Sequence, residues 1–178
     1  TELMDHIVKG LFSRVPEDAH SSLEFLNKMG YPLSKEKSIQ VIIINAQSFR
    51  IAEEPLYSEK SIHKAIANAL KQARIIYPVL ALSTLNRFRQ FALVLFSATS
   101  EDVTVSVGQY QAFYEALSAE LANEALTCYI GNWIAYEHVR DEVRQMHVYI
   151  DENISNRTGV YLTSGQDMAA TAASNLAE

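Results

Sequence analysis

Val41-Ile42-Ile43-Ile44-Asn45-Ala46-Gln47-Ser48-Phe49 is the stretch that decides the fold. Four consecutive β-branched residues with no polar alternation read as a strand buried on both faces. A strand of that kind needs helices on each side. On its C-terminal side, Ile62, Ala65, Ile66, Ala69, Leu70 and Ala73 recur at helical spacing, predicting an amphipathic helix from about Ser58 to Arg74. Val79-Leu80-Ala81-Leu82 and Phe91-Ala92-Leu93-Val94-Leu95-Phe96 follow, separated by polar residues around Asn86, and read as an antiparallel hairpin. Ser106 with Gln109 forms a capping-box pattern ahead of a stripe of Tyr110, Phe113, Tyr114, Leu117 and Leu121. A short strand from Leu126 to Ile130 is expected to end at Gly131. Tyr136, Val139, Val143 and Met146 then mark a last helix, and Val160-Tyr161-Leu162 a terminal strand.

Working back from Val41, two helices are expected. Leu3, Met4, Ile7, Val8 and Leu11 form the stripe of the first. Pro16 opens the second, with Glu17 and Asp18 at its positive end and Gly30 and Pro32 beyond it. The first amphipathic helix must bury its face, either on the body of the protein or against a second copy. The predicted architecture is α/β: a mixed, mainly antiparallel sheet flanked by helices and preceded by a two-helix segment. The divisions fall at 1–34 (helical lead-in), 35–163 (α/β module) and 164–178 (exit linker).

The chain has 178 residues, 48% of them hydrophobic and 20% charged, enough for a substantial core. Its formal net charge of −6 disfavours direct nucleic-acid binding, which depends on displacing counterions with cationic side chains. One cysteine, Cys128, excludes an internal disulfide and reads as a small buried hydrophobe. His6, His20, His63, His138 and His147 show no metal-ligand spacing and read as structural or surface residues. The sequons at Asn153 and Asn156 accompany no secretory pattern and are read as coincidental. No nucleophile elbow or phosphate-cradling glycine loop occurs in the sequence. The apolar runs are too short to span a bilayer. Without an initiator Met or a signal pattern, the chain reads as a piece of a larger protein.

The order β-α-β-β-α-β-α-β, with Ile42-Ile43-Ile44-Asn45-Ala46-Gln47-Ser48-Phe49 at its start, resembles the palm-like domain of GGDEF-type diguanylate cyclases. In that family the first strand ends in an acidic residue, and the hairpin carries Gly-Gly-Asp-Glu-Phe. Here the corresponding residues are Asn45, with Gln47 as the next candidate, and Arg87-Phe88-Arg89-Gln90-Phe91. Neutral amides are poor ligands for Mg²⁺, and Arg89 repels it, so the resemblance implies a fold without cyclase activity. Over residues 3–163 the chain more specifically resembles the degenerate GGDEF-like module of AraC-type transcription regulators, including two-component response regulators of the YesN kind. Leu3-Met4-Asp5-His6-Ile7-Val8-Lys9-Gly10, Met29-Gly30 and Tyr149 through Asn156-Arg157-Thr158-Gly159-Val160-Tyr161 carry that resemblance.

The resemblance implies a non-catalytic regulatory module without cofactor or metal. It would act in the cytoplasm as a homodimer, between an input such as a receiver domain served by a sensor kinase and a DNA-binding helix-turn-helix. Contact with DNA would belong to that missing domain, and contact with a membrane is not expected. The alternative is a sensor in which the degenerate cleft binds an anionic metabolite or nucleotide. Asn45, Gln47, Arg50, Arg87 and Arg89 would line that site, since converging guanidiniums suit phosphate or carboxylate. The same arginines also read as solvated turn residues or as partners for Glu53 and Glu54.

Overall fold

The computed structural model describes residues 10, 15–29, 39–46, 59–75, 79–84, 91–96, 105–122, 125–152 and 158–163. Within them the strands are β1 (Ile39–Ala46), β2 (Val79–Thr84), β3 (Phe91–Phe96), β4 (Leu126–Ile134) and β5 (Gly159–Leu162). The helices are α1 (Pro16–Lys28), α2 (Glu59–Gln72), α3 (Val107–Glu120) and α4 (Val139–Glu152), the last entered through a 3₁₀ turn at Tyr136–His138. The fold is α/β. One five-stranded sheet has the order β2-β3-β1-β4-β5, antiparallel except for the β4–β5 pair. The mixed, mainly antiparallel sheet read from the sequence is therefore present.

Alternation along β1 divides the core in two. Ile42 and Ile44 point to one face, where Phe91, Leu93, Leu95, Cys128, Ile130 and Val160 join the apolar stripes of α2 and α3. Ile39, Val41 and Ile43 point to the other, where they meet Val94, Tyr129, Leu26 of α1, and Val139, Val143, Met146 and Ile150 of α4. Both faces are covered, as the unbroken β-branched run demands.

The connections have an unusual handedness. The units β1-α2-β2 and β3-α3-β4 interlock as a split β-α-β arrangement, with both helices on one face. The β4-α4-β5 unit steps across the sheet in the same direction as β3-α3-β4, between strands of the same orientation, yet its helix lies on the opposite face. It therefore has the opposite hand to the split pair, although parallel crossovers in one sheet ordinarily share a single hand.

Local chemistry accounts for the helix ends. Ser106 Oγ accepts from Gln109 N–H at 3.2 Å, and Gln109 Oε1 accepts from Ser106 N–H at 2.9 Å, completing the capping box. The other end of the Gln109 side chain donates to Arg74 O at 3.2 Å and Ala73 O at 3.4 Å, tying the start of α3 to the carbonyls that end α2. There α2 closes in a Schellman motif: Ile75 N–H donates to Leu70 O and Arg74 N–H to Lys71 O. Arg74 takes the left-handed conformation, φ 59°.

Candidate functional site

The C-terminal end of β1 is the site marked by the sequence. Ile44 lies opposite Phe91 of β3 on one side and Cys128 of β4 on the other, and Phe91 in turn lies opposite Thr84 of β2. The C-terminal ends of β1 and β2 and the start of β3 thus lie at one end of the sheet. Asn45 is 8% exposed, lies across from the buried Thr127, and its Oδ1 is buried with no hydrogen-bond partner among the described residues. Alternation places its side chain on the α1/α4 face. Gln47, Arg50, Arg87 and Arg89 lie outside the described residues, as do the sequons at Asn153 and Asn156 and the expected first helix apart from Gly10.

Among the described residues, no group of three His, Cys, Asp or Glu side chains is placed to hold a metal ion, and no helix is long and apolar enough to cross a membrane. His20 pairs with Glu24 at 3.1 Å on the exposed side of α1, and His138 is exposed. Cys128 is fully buried, and desolvation pushes its thiol up to about 12.

A second polar centre lies in the middle of the sheet and was not expected. The expected turn at Gly131 is absent: β4 runs on to Ile134 through a bulge, in which Gly131 and Asn132 face Val41 alone. Glycine is needed here because a Cβ would stand 2.8 Å from Val41 O and 2.9 Å from Met146 Sδ. The strand survives because the bulge's peptide group is bonded at both ends. Gln40 Nε2 donates to Gly131 O at 2.9 Å, and Asn132 N–H donates to Glu142 Oε1 at 3.0 Å. Gln40 Oε1 in turn accepts from Tyr110 O–H at 2.8 Å. Gln40, Tyr110 and Glu142 are all buried, so each bond satisfies a group that would otherwise be costly to desolvate. The tyrosine hydroxyl lies inside the core.

Two signals in the sequence point to this centre. Gln40 is a lone polar residue at the mouth of an apolar run, and Glu142 falls on the Val139–Val143–Met146 stripe. Neither shows which partner would answer it, because Tyr110 lies 70 positions from Gln40.

No family model matches the chain, and no curated protein or solved structure matches it significantly.

Proposed function

We propose that the chain is a non-catalytic regulatory module of a bacterial AraC-type transcription regulator, a degenerate GGDEF-like body that relays an input to a helix-turn-helix outside this chain. The observation that carries the reading is Asn45. Where a palm-type cyclase places a metal-binding carboxylate at the end of its first strand, this chain buries a neutral amide. The lead-in also suits a relay. Leu26 of α1 is fully buried against the sheet and α4, so α1 cannot shift without repacking that face. Gly10 lies close against α1, since a Cβ there would stand 2.0 Å from Ser22 Oγ. On this reading the module works in the cytoplasm as a homodimer. Its input is a receiver domain answering a sensor kinase, and DNA contact is left to its neighbour.

The test is a transcription reporter driven by the complete reading frame. Leu26→Ala should abolish the response to the input while operator binding by the full protein persists. A response equal to wild type would overturn the relay. Incubation of the chain with GTP or ATP and Mg²⁺ should yield no cyclic nucleotide, and recovered product would overturn the non-catalytic assignment.

A second reading, a sensor for an anionic metabolite or nucleotide, draws on the buried Asn45 amide oxygen, which has no hydrogen-bond partner among the described residues, and on the arginines at 87 and 89 of the sequence. A ligand far above its dissociation constant stabilises the folded state by a few kcal/mol, roughly 2.7 at a hundredfold excess. A thermal-shift series with nucleotides, sugar acids and phosphate decides it. No shift with any of them removes the sensor.

A further inference from the structure

Four polar groups line up through the sheet with their donors pointing the same way. The Tyr110 hydroxyl donates to the Gln40 amide, and the Gln40 amide donates to the 131–132 peptide oxygen. The N–H of that same peptide donates to the Glu142 carboxylate. Tyr110 belongs to α3 on one face, and Glu142 to α4 on the other. Among the described residues the two apolar cores form separate clusters on opposite faces of the sheet, with α3 in one and α4 in the other.

We infer that the Gly131–Asn132 peptide is a mechanical and electrostatic coupler between the two helical faces, carrying displacement or loosening of α3 to α4 and back. The bulge supplies the means, since this peptide lies outside the regular β1–β4 register, with Val41 alone across from it. Its oxygen and its N–H are therefore given to side chains from opposite faces. Hydrogen bonds aligned in series polarise one another, so loss of the Tyr110 donor weakens the Gln40–peptide bond and then the peptide–Glu142 bond. Asn132 Nδ2 adds a second bond to the same carboxylate oxygen at 3.3 Å, anchoring that end of the string to α4. The coupling rests on this geometry alone and holds whatever signal the module handles.

Amide hydrogen exchange on the intact chain tests it, with the Asn132 N–H as reporter and the core amides of Ile43 and Cys128 as the reference for global opening. Tyr110→Phe removes the first donor while keeping the ring. The Asn132 amide should exchange about tenfold faster relative to the reference amides. Phe113→Leu, on the same helix but outside the string, should leave that ratio unchanged. A double-mutant cycle of Tyr110→Phe with Glu142→Gln should depart from multiplicative behaviour in the folding equilibrium by about fivefold or more. The inference is overturned if Asn132 follows the core amides in Tyr110→Phe, if Phe113→Leu moves the ratio equally, or if the two variants multiply. Should Glu142→Gln fail to fold, the Tyr110→Phe and Phe113→Leu arms decide alone.

Discussion

The carbonyl oxygen of Val41 lies 2.8 Å from the point where a Cβ on residue 131 would sit. Gly131→Ala therefore forces either the β1 backbone or the bulge to move, with Met146 closing the other side. A loss of about 1–3 kcal/mol is expected from overpacking of this kind. Urea unfolding measures it, and a midpoint equal to wild type would show that the bulge yields freely.

Gln40→Leu removes at once the partner of the Tyr110 hydroxyl and of the Gly131 carbonyl. The Tyr110 hydroxyl and the Gly131 carbonyl are then left buried, each costing about 1–3 kcal/mol if nothing replaces the lost bond. Adding Tyr110→Phe to Gln40→Leu should restore part of that loss, because the orphaned hydroxyl is gone. Equilibrium unfolding of the single and double variants checks the order, which fails if the double variant is the less stable.

Cys128 sets a pH dependence of known sign. Its thiol ordinarily titrates at 9.0, and burial raises this to about 12 in the fold. Between those values the unfolded chain releases a proton that the folded chain retains, so stability falls as pH rises, by at most about 1.4 kcal/mol per unit. Below 9 the term vanishes. Cys128→Ala should flatten this part of the stability–pH curve relative to wild type. In the native protein, thiol reagents at pH 8 should react only as fast as the chain opens.

Leu26 and Phe25 are neighbours on α1 with opposite fates, 0% and 41% exposed. Leu26→Ala should cost about 2–5 kcal/mol and open the lead-in to protease. Phe25→Ala should lie within about 0.5 kcal/mol of wild type, as surface changes do. Thermal melts and limited proteolysis of the two variants make the comparison. Equal effects would mean that α1 is not seated as described.

Arg74 offers a stabilising change. An L-residue pays roughly 1–2 kcal/mol for the left-handed conformation, whereas glycine adopts it freely but loses more entropy on folding. With φ at 59° and both Schellman bonds in place, Arg74→Gly should raise stability by up to about 1 kcal/mol. A lower melting temperature would refute this.

Much of the fold was legible because its signals are local and strong. The run Val41–Ile44 announces a central strand, the Ile62–Ala73 stripe a helix, and Ser106 with Gln109 a helix start, and each is present. Gly131 misled because a glycine after an apolar strand ordinarily means a turn. The strand continues only because Gln40 and Glu142 satisfy the displaced peptide from a distance. Long-range pairing of that sort leaves no periodic trace in a sequence. The candidate site divides similarly: Asn45 was locatable from strand position alone, while its burial depends on what the folded sheet brings around it.

The opposed hand of the last crossover has a consequence during synthesis. Chains emerge N-terminus first, and the interlocked unit from β1 to β4 can close its α2/α3 side before α4 exists. Until residues 139–152 leave the ribosome, Ile39, Val41, Ile43 and Val94 have only α1 to shelter them. The nascent protein therefore passes through a stage with a finished side and an adhesive one, where a chaperone would bind and where truncated products would aggregate.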